Sequence, residues 1–303
     1  METKALFLFT ALILIFTRPL HAGEIRVLRD ENLTVLFEPP LRSAAKKIAR
    51  IYPGIKADLE SIFGWDLDLR PSVLLIKDRR DFQGMAESPL TVAFAVPQKK
   101  LIVIDVSRMN ISPFTIENTL KHELCHLLLH HHIRGHIFPR WLDEGVCQWV
   151  SDGIGDIIMD QKGSLLNRAA LRGTFIRLDS LHQGFPRDKE SLLLAYEESK
   201  GFVAHIISRF GKEGILRALE YMKKGEVADV AFTKALSTSL EKLEQEWHHA
   251  LRRKMTWFTY LSYHLYEIIF ALLALITIYA FIRIMMKKRA YMTEEREDGP
   301  FSS

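Results

Sequence analysis

The sequence predicts an α+β chain: a mixed sheet in front, a helical subdomain behind it, and a membrane-spanning helix at the C-terminus. Three observations predict it. Between Ile25 and Val106 short β-rich apolar runs alternate with turn residues; beyond Pro113 apolar residues recur at helical spacing; and from Leu265 to Ile284 the chain is almost wholly apolar. With 48% hydrophobic residues among 303, the chain has ample material for a core, and disorder is excluded as its general state.

Taken in order, Lys4 precedes an apolar run from Ala5 to Phe16, and Leu20-His21-Ala22 offers a small residue before a cut at Gly23. Residues 1–22 therefore read as an export signal, with a retained anchor as the alternative because Glu2 partly cancels Lys4. Ile25–Val27 and Leu33–Phe37 read as strands ended by Pro39-Pro40. From Arg42 to Phe63, Ala45, Ile48, Ile51, Ile55 and Leu59 keep one helical face, which Pro53 is expected to kink or split. Val73–Ile76 is a short buried strand. Thr91–Ala95 and Leu101–Val106 bracket Pro97-Gln98-Lys99-Lys100 and form a hairpin, either arm of which can be the sheet edge.

After Pro113 comes a helix running to about His130, and it carries His122-Glu123-Leu124-Cys125-His126. Residues four apart return to one helical face, so His122 and His126 can hold one ion while Glu123, one step round, reaches a water upon it. Leu120, Leu124, Leu127 and Leu128 supply the apolar surroundings of a buried helix with one polar stripe. Catalytic zinc takes three protein ligands and leaves a fourth position to water. Glu144, eighteen positions beyond His126 in Trp141-Leu142-Asp143-Glu144-Gly145, supplies the third from a second helix, about Trp141 to Val150. One zinc per chain is the expected cofactor.

The pairing of these two motifs resembles the gluzincin metallopeptidases, thermolysin-like zinc enzymes, and most closely their peptidase MA-like domains. Two further pieces fit the resemblance: Ala195-Tyr196-Glu197-Glu198-Ser199-Lys200-Gly201-Phe202-Val203 and Leu243-Glu244-Gln245-Glu246-Trp247. Carried over by position, it implies zinc on His122, His126 and Glu144 with Glu123 as general base. It also implies an oxyanion donor from a downstream helix, for which Tyr196 is the first candidate and His205 the weaker one. An extended peptide or protein substrate would pair with the strand bordering the cleft. Gln148 stands where thermolysin-like relatives carry an acidic residue that orients a ligand histidine, so the outer shell of the site departs from the pattern.

Several features have plainer readings. His130, His131, His132 and His136 form a histidine-rich helix exit, better explained as a solvated end than as a second metal site. Cys125 and Cys147 suit small buried positions in a tight helix pair; a disulfide between the ligand helices is the second option and metal ligation the third. Asn32-Leu33-Thr34 and Asn110-Ile111-Ser112 match a glycosylation pattern too short to carry weight.

Residues 24–254 thus form the expected catalytic domain. Ser191–Phe210, Ile215–Met222, Val227–Leu236 and Leu240–Lys254 are its later helices, with Gly211 and Gly225 between them. The apolar helix 265–284 has the length of a bilayer core. Trp257, Tyr260, Tyr263 and Tyr266 precede it like an interfacial belt, and Arg283, Lys287, Lys288 and Arg289 follow as a cytoplasmic flank, although Arg252, Arg253 and Lys254 oppose that orientation. Residues 285–303 read as a short cytoplasmic tail, disordered beyond Ala290. The net charge of +4 is scattered and no phosphate loop or nucleic-acid module appears, which excludes nucleic-acid binding. The function expected is a membrane-anchored zinc metallopeptidase outside the cytoplasm, on the periplasmic side of a bacterial inner membrane. An inactive zinc-binding module of an envelope complex and an amidase of cell-wall material are the alternatives.

Overall fold

The computed structural model describes residues 24–109, 115–134, 138–151, 164–255 and 257–297. The export signal, Asn110-Ile111-Ser112, His136, Gly153 and Gly155 lie outside these residues. Two compact units divide the chain, 1–248 and 249–303.

In the first unit a five-stranded sheet has the order β1-β2-β3-β5-β4. Its strands are β1 (Arg26–Arg29), β2 (Thr34–Phe37), β3 (Ser72–Ile76), β4 (Ala93–Val96) and β5 (Leu101–Asp105). β2, β3 and β5 run parallel, while β1 and β4 flank them antiparallel. The central strands read as unbroken apolar runs because both their faces are covered: all of β5 and four residues of β3 are buried. β4 is half-exposed and is the edge, which settles the choice the hairpin left open. Lys100 turns the hairpin with φ 50°, the left-handed conformation.

Parallel neighbours need a crossover, and α1 (Arg42–Phe63) supplies the one between β2 and β3. It is one continuous helix, contrary to the expected split at Pro53. The reason is orientation: Pro53 is exposed, so its ring lies on the solvent side of the helix, while Ala45, Ile48, Tyr52, Ile55, Leu59 and Phe63 keep an intact buried stripe. Gly64, at φ 66°, ends the helix in the left-handed conformation that glycine adopts without strain. A short helix α2 (Arg79–Gln83) lies before β4.

The helical part follows. α3 (Ile116–His132) begins under a Thr115 side-chain cap on the Asn118 amide, and packs against α1, β4 and β5. After it come α4 (Arg140–Val150), α5 (Leu165–Arg172), α6 (Lys189–Phe210), α7 (Lys212–Lys223), α8 (Ala228–Leu236) and α9 (Leu240–Lys254). α5 is too short for its periodicity to stand out in the sequence. Its N-terminus is instead fixed from afar by Glu197, which accepts from Ser164 Oγ (2.7 Å) and from the amides of Leu165 (3.1 Å) and Leu166 (2.8 Å).

α4 and α6 form the tightest pair, and Gly145 explains it. A Cβ there would stand 2.5 Å from the Ser199 carbonyl oxygen and 2.7 Å from Val203 Cγ2, so only glycine lets the backbones approach. Around this contact Phe202 meets Trp141 and Trp247, each with ring centroids 5.3 Å away, joining α4, α6 and α9.

Cys125 and Cys147 form a disulfide, with Cα atoms 5.5 Å apart. The expectation of two merely packed thiols is corrected: α3 and α4 cross closely enough at these small residues for the sulfurs to meet.

The second unit holds α10 (Trp257–Tyr263), where the aromatic belt was expected, and α11 (Leu265–Glu297). Among the described residues one helix is long and apolar enough to cross a membrane. Its stretch Leu265–Arg289 contains an 18-residue window with a mean hydropathy of 2.5, none of which is buried within the chain. α11 continues past Ala290 to Glu297, so the start of the tail is helical and not disordered.

Candidate metal centre

The site forms where α3 and α4 cross. His122 and His126, one turn apart on α3, aim their Nε2 atoms at one point, 3.2 Å from each other. Glu144 Oε2, from α4, lies 3.5 Å from His122 Nε2 and 3.9 Å from His126 Nε2. Their ligand atoms all fall within 4.8 Å of one another and all three residues are buried. Glu144 Oε2 has no hydrogen-bond partner, although it is buried. An orphaned carboxylate oxygen facing two imidazole nitrogens costs free energy in a dry site, and a shared divalent cation removes that cost. The residues present fit zinc.

What surrounds the three is equally specific. Asp143 Oδ1 lies 2.7 Å from His126 Nδ1, and its Oδ2 lies 3.0 Å from His130 Nε2. With Nδ1–H given to Asp143, His126 keeps its Nε2 lone pair for a metal. His122 Nδ1 faces the Ser151 hydroxyl at 3.4 Å. Arg140 Nη2 pairs with Glu144 Oε1 at 2.6 Å, and the same guanidinium lies over the Phe185 ring, 5.9 Å from its centroid, with Tyr196 near enough to act on its charge.

The charges follow from burial and neighbours. Burial would raise the pKa of Glu144, but Arg140 and His126 outweigh it and hold it down to about 2. Asp143 is likewise held well below the carboxylate range, since His126 and His130 overcome its burial. Burial opposes charging of His126, yet Asp143 and Glu144 lift it to about 9. Glu123 is the contrary case: burial dominates and raises it, against the pull of His122 and His126. Burial raises the Tyr196 phenol too, aided by Glu144.

Each residue singled out in the sequence can now be placed. His122, His126, Glu144 and Glu123 meet, and Tyr196 on α6 stands beside Arg140, close enough for Glu144 and Glu123 to shift its pKa. His205 lies nine residues further along α6, about half a turn out of phase, and so on the opposite face. Gln148 meets no histidine; its Nε2 reaches the Tyr196 carbonyl at 3.4 Å, and it is Asp143 that lies against His126. In the histidine-rich exit His130 serves Asp143, and His132 Nε2 lies 2.8 Å from the Asp66 carbonyl oxygen, which leaves no second metal cluster built from them among the described residues. Asp143, Arg140, Ser151 and Phe185 had no role in the sequence reading. Two carried a signal: Asp143 adjoins Glu144, and Arg140 precedes it by one turn, the spacing of a helical ion pair.

The profile of the Peptidase MA superfamily matches residues 72–253, from β3 through the ligand helices to the end of α9. The chain belongs to the peptidase MA superfamily. The gluzincin resemblance drawn from the two motifs holds. Against curated proteins the sequence finds no match. Among solved structures, this peptidase MA chain is similar to Legionella pneumophila aminopeptidase A in complex with aspartic acid (TM-score 0.44, 16% identity), covering 74% of itself and 27% of that chain. It is similar also to native leukotriene A4 hydrolase from Saccharomyces cerevisiae (TM-score 0.45, 14% identity, 73% of this chain and 38% of that one). A mutant M1 zinc metallopeptidase from Deinococcus radiodurans gives a TM-score of 0.44 at 14% identity, over 74% of this chain and 51% of that one. The chain thus spans about a quarter to a half of the length of these proteins.

Proposed function

We propose that this peptidase MA chain is a zinc-dependent peptidase, anchored by α11 and acting on peptides or proteins outside the cytoplasm, at the periplasmic face of a bacterial inner membrane. The observation that carries the reading is the buried, unpartnered Oε2 of Glu144 aimed at two histidine Nε2 atoms. The buried disulfide beside it fits an oxidising compartment.

His122, His126 and Glu144 would hold zinc, which would supply the Lewis acidity that makes a water more acidic and polarises a substrate carbonyl. The rest falls to the protein. Glu123, whose pKa burial raises, accepts the proton of the attacking water and returns it to the departing amine nitrogen. Tyr196 keeps its proton because burial raises its pKa, and so can donate to the oxyanion that forms. Asp143 holds the His126 ring with Nε2 forward. The half-exposed edge β4, packed on α3, offers backbone groups to an extended chain.

The test compares the full-length chain with its Glu123→Gln form on an extracellular proteome, scoring new peptide ends. Identical end profiles at equal zinc content would remove the peptidase reading while leaving the metal centre intact.

A further inference from the structure

Arg140 pairs with a ligand of the centre and stands near Tyr196, the residue proposed as the centre's hydrogen-bond donor. Its Nη2 takes Glu144 Oε1 at 2.6 Å, while Glu144 Oε2 is left buried without a partner. The two oxygens of one carboxylate are thus treated oppositely: one is tied up, and the other is kept bare and directed at His122 and His126. The arginine is itself held from three sides. Its backbone N–H donates to the His182 carbonyl oxygen at 2.9 Å, its guanidinium lies over the Phe185 ring, and its Nη1 stands 3.7 Å from Asp143 Oδ2.

A planar guanidinium has several donors at fixed angles, so it can hold a carboxylate oxygen in a set direction, where an ammonium offers one point charge. The consequence concerns coordination. A free carboxylate binds zinc through one oxygen or two. Two oxygens added to two imidazoles would fill four places and leave none for water, whereas one oxygen leaves the fourth place open. We infer that Arg140 is a positioning residue that confines Glu144 to one-oxygen ligation and so keeps a place for the water. This rests on the zinc peptidase reading.

The experiment measures zinc coordination by X-ray absorption at the zinc edge, on full-length chain purified in detergent, for the native protein, Arg140→Met and Arg140→Lys. Metal content and the melting temperature of the metal-free form are measured in parallel. The native protein should show two nitrogen neighbours and two oxygens, one of which exchanges with added acetohydroxamate. Arg140→Met should retain zinc, gain the second carboxylate oxygen and lose the exchangeable position, with kcat falling at least tenfold and KM little changed. Arg140→Lys keeps the charge but not the planar fork, and should show the same change in coordination; it decides the matter if Arg140→Met does not fold. Native coordination and a native kcat in the folded variants would overturn the inference, as would a lower melting temperature with unchanged coordination, which makes Arg140 an ordinary helix ion pair. A native protein that binds no zinc would instead overturn the peptidase reading on which the inference rests.

Discussion

At the scale of single residues, Glu123 and Tyr196 divide the proposed chemistry, and their variants separate binding from turnover. Glu123→Gln should keep zinc at native stoichiometry by elemental analysis, because no ligand is lost, while kcat falls about a hundredfold or more. Tyr196→Phe should lower kcat by about two orders of magnitude with little change in KM, as befits a contact made mainly in the transition state; a lower melting temperature with native kcat would place Tyr196 in the packing instead. Glu198 carries a different prediction. Burial lifts its pKa from 4.5 to about 8, helped by Glu244 and Glu197 and opposed by its bond from the Ile176 amide. A carboxyl raised on folding lends stability that is full below its unfolded pKa and is lost as pH rises through the folded one. Melting temperature should therefore decline between about pH 5 and pH 8, and Glu198→Gln, which still accepts from Ile176, should flatten that decline. A profile identical in the two proteins would refute the assignment. The ligand positions were legible in the sequence because a helix fixes the i, i+4 geometry of His122 and His126. Glu198 was not: its neighbours Ile176 and Glu244 come from distant parts of the chain.

At the scale of elements, the centre depends on how closely α4 lies against α3 and α6. Gly145→Ala pushes a methyl group at the Ser199 carbonyl oxygen, a backbone atom that cannot turn aside, so α4 must shift. Overpacking of this kind costs about 1 to 3 kcal/mol, and because Glu144 is the next residue, zinc affinity measured by chelator competition should fall with the melting temperature. On the other side of α4, the Cys125–Cys147 bridge closes a separation of 22 residues, and Cys125→Ser/Cys147→Ser should lose about 2 to 4 kcal/mol in chemical denaturation. Neither constraint could be read from periodicity, which tells which face of a helix is apolar but not what it meets. Hence Cys125 and Cys147 passed for packing residues, and the hairpin concealed which arm was the edge until β5 was found between β3 and β4. The long helices, by contrast, came through within a few residues, and even Pro53 in α1 misled only because its exposure was unknown.

At the scale of the whole molecule, the two units pose separate questions, and α11 answers only by length and apolarity. If it spans with the first unit outside, a reporter active only outside the cytoplasm should work when fused after Lys254 and fail after Arg289; activity at both positions would show that α11 does not cross. Outside the cytoplasm, too, the disulfide decides more than stability. Before it closes, Cys147 offers a sulfur that, with a His126 nitrogen and an Asp143 oxygen, falls in a group of possible ligand atoms all within 4.8 Å of one another. Thiolates favour copper(I) and other soft ions that carboxylates do not, so the reduced chain presents a rival site overlapping the intended one at His126. Chain refolded reduced with copper(I) should therefore be mis-loaded and stay so after oxidation, while chain oxidised first should take up zinc; equal zinc loading in both orders would remove this idea. On that outcome, closing the bridge would remove Cys147 as a rival ligand while leaving His126 free for zinc.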